Sequence, residues 1–123
     1  MHELSIAQAV ADVALRHARG RRVAKVEVRV GHLRQVVPAA LGFAFELVAT
    51  GTALEGAELE LIEVEAGGRC RSCGADGAFP AFPLQCQACG SWDVEVARGE
   101  ELLVESLEIE ETERETAMSG GPR

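Results

Sequence analysis

Between Ser5 and Gly20 the positions Ile6, Val10, Val13, Ala14 and His17 recur three or four residues apart, the repeat of an amphipathic helix over about residues 5–19. Ser5-Ile6-Ala7-Gln8 has the form of a capping box at its start, and Gly20 stops its last turn. From Arg22 to Val30 the period changes to two: Ala24, Val26, Val28 and Val30 alternate with Lys25, Glu27 and Arg29, which predicts a half-buried strand. Residues 31–37 connect to a second helix that opens at Pro38, carries Leu41, Phe45 and Val48 on one face and ends before Gly51. Residues 57–65 read as another strand whose apolar phase slips between Leu61 and Ile62, as a bulge or burial on both faces would cause. Val94 to Arg98 and Leu102 to Glu110 have the alternation of two strands and, joined across Gly99-Glu100, are expected to form a hairpin. Residues 111–123, acidic and ending in Ser119-Gly120-Gly121-Pro122, are expected to be mobile.

The order helix, strand, helix, strand, insert, strand, strand predicts an α+β fold: a small mixed or antiparallel sheet with two helices on one face, plus an inserted four-cysteine, zinc-ribbon-like lobe. Residues 1–66 with 92–110 make up the expected α/β domain, 67–91 the cysteine lobe and 111–123 an acidic tail. At 123 residues, 47% hydrophobic but only 4% aromatic, the chain has room for one aliphatic core, so a second lobe needs another source of stability.

That source is visible in the cysteines. Cys70-Arg71-Ser72-Cys73-Gly74 and Cys86-Gln87-Ala88-Cys89-Gly90 are similar knuckles that use all 4 cysteines of the chain. Two intervening residues let both thiolates face one ion, and the following glycine permits the tight turn at positive φ. Four thiolates so spaced form a closed tetrahedral site suited to structural zinc, with iron in a rubredoxin-like site the main competitor. Catalytic zinc is disfavoured because four protein ligands leave no open position.

The opening Met1-His2-Glu3 offers different chemistry. A terminal amine, the His2 amide nitrogen and a His2 ring nitrogen can close two fused chelate rings, a flattened nitrogen-rich set that suits Ni(II) or Cu(II) better than Zn(II). A histidine at a frayed terminus is as readily a solvated polar residue. The remaining imidazoles, His17 near a helix end and His32 beside Gly31, read as dipole-favoured and turn or packing residues respectively.

Taken together these stretches resemble the HypA/HybF family of [NiFe] hydrogenase maturation proteins. The resemblance runs from Met1-His2-Glu3-Leu4-Ser5 through Gly31-His32-Leu33, Val37-Pro38-Ala39-Ala40-Leu41, Phe43-Ala44-Phe45-Glu46, Gly51-Thr52 and Glu55-Gly56-Ala57 to both knuckles and Gly90-Ser91, about residues 1–110. It implies a nickel metallochaperone with Ni(II) as transient cargo at Met1, His2 and Glu3, and structural Zn(II) at Cys70, Cys73, Cys86 and Cys89. The implied partners are the maturation GTPase HypB and the hydrogenase large-subunit precursor. Unlike some relatives, this chain has no histidine in its cysteine insert, so that lobe offers nickel no second imidazole.

Charge and motif exclude other classes. The net charge is −8, and residues 93–123 alone hold ten acidic against three basic groups, which disfavours nucleic acid as a partner. The insert carries only Arg69 and Arg71 as cations, unlike a nucleic-acid-binding zinc ribbon. A deaminase-like zinc enzyme needs His-x-Glu, whereas His2 and Glu3 are adjacent, and no phosphate loop or activated nucleophile is present. The chain is therefore expected not to be an enzyme. With no apolar run near the ~20 residues of a membrane span and no secretory signal, a cytoplasmic monomer or homodimer is expected.

Overall fold

A computed structural model describes residues 3–110; the expected mobile tail, like Met1 and His2, lies outside them. Two three-stranded sheets divide the described chain. The first is built from α1 (Glu3–Ala18), β1 (Val23–Gly31), α2 (Pro38–Ala49), β2 (Glu58–Val64) and β6 (Leu102–Ile109). The second, carrying the cysteines, comprises β3 (Gly67–Cys70), β4 (Asp76–Ala78) and β5 (Val94–Arg98).

In the first sheet the order is β2-β1-β6, with β2 parallel and β6 antiparallel to the central β1. The parallel pair requires a crossover, and α2 supplies it. Val26, Val28 and Val30 are buried on the helix side while Lys25, Glu27 and Arg29 lie on the open face. The alternation breaks at the start of β1, where Val23 rather than Ala24 is buried, because the pairing with β6 shifts between Val23 and Lys25. The phase slip in β2 involves no bulge against β1: the register from Glu58 to Val64 is unbroken, Leu59 and Leu61 pack on the core, and Ile62 falls on the opposite face, half-buried.

Helix α2 opens at Pro38 as its residue pattern predicts, whereas α1 begins earlier, and the buried faces of both differ in part from the expected ones. Helix α1 starts at Glu3, two residues before the expected Ser5 cap, and Gln8 donates forward to Asp12 Oδ1 at 2.9 Å instead of reaching back. Its buried stripe is Ile6, Ala7, Val10, Ala11, Ala14 and Ala18, with Val13 only half-buried and His17 exposed. Small residues on that stripe let α2 approach closely, and α2 answers with Leu41, Ala44, Phe45 and Ala49. Arg21 closes the end of α1 by donating to the carbonyls of Ala18 (2.8 Å) and His17 (3.2 Å), where a cation meets the negative end of the helix dipole.

The largest correction concerns β5 and β6. They are not a hairpin: β5 pairs antiparallel with β3, β6 pairs with β1, and Gly99 with its neighbours is the passage from one sheet to the other. Residues 94–98 therefore belong to the cysteine-bearing sheet, not to the helix-covered sheet in which 92–110 were placed. Gly31, Ala66 and Gly99 make this passage possible. A Cβ on Gly31 would lie 1.9 Å from the Gly99 oxygen, and one on Gly99, whose φ is +111°, would lie 2.6 Å from Ala66 Cα. Backbone bonds from Gly31 N to Glu101 O and from Leu33 N to Gly99 O, both 2.8 Å, fasten the contact.

Candidate metal centre

Each knuckle is a short backbone turn with the same hydrogen bonds. Gly74 N–H reaches Cys70 O and Gly90 N–H reaches Cys86 O, both at 2.9 Å, and the two glycines adopt φ of +78° and +80°. The amide of Cys70 donates to Ala75 O, and that of Cys86 donates to Ser91 O. This geometry turns amides inward: Cys73 N–H points at Cys70 Sγ, and the N–H groups of Ala88 and Cys89 point at Cys86 Sγ, each at 3.4 Å. Ser72 and Ser91 join the knuckles through their hydroxyls at 2.9 Å, and Arg71 ties the first to β5 by bonds to Asp93 Oδ1 and Val94 O.

The four sulfurs of Cys70, Cys73, Cys86 and Cys89 lie within 4.8 Å of one another. Cys70 and Cys89 are 3.6 Å apart and Cys73 and Cys86 3.7 Å. A tetrahedron with metal–sulfur bonds of about 2.3 Å has edges of about 3.8 Å, so this donor set fits a tetrahedral thiolate-binding cation. All four cysteines are free of disulfides; Cys70 and Cys86 are buried, whereas Cys73 and Cys89 are exposed.

The thiols differ electrostatically. The Cys73 amide holds Cys70 down to about 6, aided by the Ser72 amide and opposed by burial. The amides of Cys89 and Ala88 lower Cys86 in the same manner. Cys89 is drawn down by the Ser91 amide, but the adjacent Cys70 sulfur, burial and the Cys73 and Cys86 sulfurs outweigh it and push the thiol up to about 12. Cys70 is thus a ready thiolate near neutral pH, while Cys89 keeps its proton there.

Of the residues in the start motif, Glu3 alone is described. Its Oε2 accepts the Val37 N–H at 3.2 Å, which sets the beginning of α1 beside the beginning of α2. His32 follows β1 in a 3-10 turn (His32–Arg34), with Nε2 3.2 Å from Glu63 Oε1, and His17 Nδ1 lies 2.9 Å from Val13 O. Neither imidazole joins a group of three or more candidate ligands among the described residues. Amides aimed at sulfur are what the Cys-x-x-Cys spacing predicts, whereas the Ser72–Ser91 link escaped sequence reasoning.

The family model of HypA, described as hydrogenase/urease nickel incorporation, metallochaperone, matches residues 1–109. The chain belongs to the HypA family. It is therefore a member of a metallochaperone family and not an enzyme. Among curated relatives, the hydrogenase maturation factor HypA of Geotalea uraniireducens (strain Rf4) is 46% identical over 110 residues, covering 89% of this chain and 100% of the relative. That of Crocosphaera subtropica is 38% identical over 111 residues, covering 90% and 97%. The solution structure of the Ni metallochaperone HypA from Helicobacter pylori superposes with a TM-score of 0.64 at 22% identity, covering 89% of this chain and 97% of that one, and so shares the fold. The α+β architecture is shared with that structure, and this chain carries the four-cysteine cluster within it.

Proposed function

We propose that this HypA-family chain binds Ni(II) at its amino terminus and delivers it to the [NiFe] hydrogenase large-subunit precursor, while the four cysteines hold a structural Zn(II). The observation that carries this reading is the family match, which begins at Met1 and spans both the start motif and the knuckles. Relatives named hydrogenase maturation factors favour a hydrogenase as recipient.

In this reading nickel is cargo, held by the Met1 amine, the His2 amide and ring nitrogens, and Glu3. A chelate at a chain end has little buried structure to rearrange, so a recipient can displace its ligands one by one. HypB is the proposed donor and the cytoplasm the proposed compartment; among the described residues no helix is long and apolar enough to cross a membrane. Cys70, Cys73, Cys86 and Cys89 would hold the zinc, which would cross-link the two knuckles. The division of labour we propose separates a metal-carrying α/β domain from a zinc lobe that stiffens its surroundings.

Metal analysis of protein with a native terminus tests this. One tightly held zinc and one exchangeable nickel per chain are expected, His2→Ala should lose nickel while keeping zinc and fold, and acetylating the terminal amine should be nearly as damaging. Unchanged nickel in His2→Ala, or Ni(II) spectra dominated by thiolate, would remove the assignment.

A further inference from the structure

Strand β6 borders its sheet, with β1 on one side and no strand on the other among the described residues. Its outward side is unusually well furnished. Bonds from Gly31 N to Glu101 O and Leu33 N to Gly99 O direct residues 99 and 101 toward β1, so by alternation Leu102 and Val104 turn their backbone groups away from it. Along this edge runs an open groove of about 430 Å³ between α1 and β6. Val13, Val104, Leu107 and Ile109 give it an aliphatic wall. The polar groups at its end, Arg21 and His17, already contact helix carbonyls, at Ala18 and His17 for the arginine and at Val13 for the imidazole.

The charge of the edge selects among occupants. Residues 99–110 contain Glu100, Glu101, Glu105, Glu108 and Glu110 and no cation. A second copy adding its own β6 would set glutamates against glutamates, and the bulge between Glu27 and Val28 in the β1–β6 pairing further spoils a symmetric ladder. Arg29 pairs with Glu105 and Arg22 with Glu110, while Lys25 is held by Glu60 and Glu27, so the five glutamates of this edge meet two cations and the rim stays acidic.

We propose that the outer edge of β6 accepts an extended segment of a different protein as a fourth strand, with aliphatic side chains toward α1 alternating with lysine or arginine toward the open face. Main-chain bonds to Leu102 and Val104 supply affinity, the groove reads every second side chain, and the glutamates read the others.

An octapeptide of alternating valine and lysine serves as the probe against the full-length, metal-loaded chain, followed by backbone amide NMR. Shift changes and slowed amide exchange are expected at Leu102, Val104 and Leu107, with no binding of the valine–glutamate counterpart and no slowed exchange with the same valines and lysines in two blocks. Val13→Arg, at a half-buried groove position outside the buried core, should weaken the probe about ten-fold. Glu108→Lys, on an exposed position, should also weaken it, and keeps the test alive if the arginine perturbs folding. Equal binding of the glutamate peptide, or shifts confined to other elements, overturns the proposal. Sedimentation showing a dimer that Val13→Arg dissociates overturns it in favour of a second copy of this chain.

Discussion

The two sheets are stabilised in opposite ways. The helix-covered sheet encloses a continuous aliphatic core in which Leu41, Phe45, Leu54, Val23, Val26 and Val28 are almost wholly excluded from solvent. The cysteine-bearing sheet buries Phe79 and two of its thiols, but leaves Phe82 and Trp92 largely exposed. Its order comes from amides aimed at sulfur and from four thiols close enough to share one cation. One half of the molecule removes a large apolar surface from water, and the other gathers four thiols into a set suited to one cation.

Stripping the metal with a strong chelator should break this comparison open most widely. Binding energies of structural zinc are on the order of 10 kcal/mol, far more than the few buried apolar groups of the lobe supply. Hydrogen exchange should lose protection at Cys73, Gly74, Cys89 and Gly90 while the amides of α1 and β1 remain protected; retained protection at the knuckles would show the lobe to be self-sufficient. Acidification should do the same more gradually. The pKa of Cys70 is depressed from 9.0 to about 6, so its favourable contribution is in full above 9 and is lost as the pH falls through 6. Cys89 must surrender a proton held up to about 12, so metal uptake at neutral pH should release acid and weaken as the pH drops, measurable by pH-stat titration against a colorimetric chelator.

Phe45→Ala gives the reciprocal experiment. Truncating this buried ring should lower stability by roughly 3–5 kcal/mol and reduce the thermal midpoint without changing metal content. Gly99→Ala probes the join: its Cβ would meet Ala66 at 2.6 Å, and relieving that overlap should cost about 1–3 kcal/mol, visible as faster amide exchange at Gly31 and Leu33. The smallest effect is expected from Glu63→Gln, which removes the half-exposed His32 pairing and should change denaturation by less than about 1 kcal/mol.

Most of the helix-covered half could be read from the amino-acid order because its elements have strong, distinct periods. The alternation from Val26 to Val30 and the Pro38 helix start both appear where the residue pattern puts them. The Ser5 start failed because α1 continues to Glu3, whose carboxylate meets the beginning of α2, a contact no local signal encodes. The hairpin failed for a different reason. Strand β5 alternates as any half-buried strand does, but its partner β3 is Gly67-Gly68-Arg69-Cys70, which has no apolar period to detect. Gly68 is required because a Cβ there would sit 1.9 Å from Glu95 O, so close pairing with β5 erased the pattern that would have announced it. The cysteine cluster was legible because ligand spacing is a short-range property, and the structure brings together all four thiols so identified.

The near-contact of Ala66 with Gly99 means that the chain departs from the helix-covered sheet and re-enters it at almost the same point. Thirty-odd residues are therefore slung from a single narrow neck, like a cassette in a slot. Replacing them with a short turn would ask for little extra closure entropy and leave β6 free to find β1, so the thiol-bearing segment is open to exchange with another by genetic grafting.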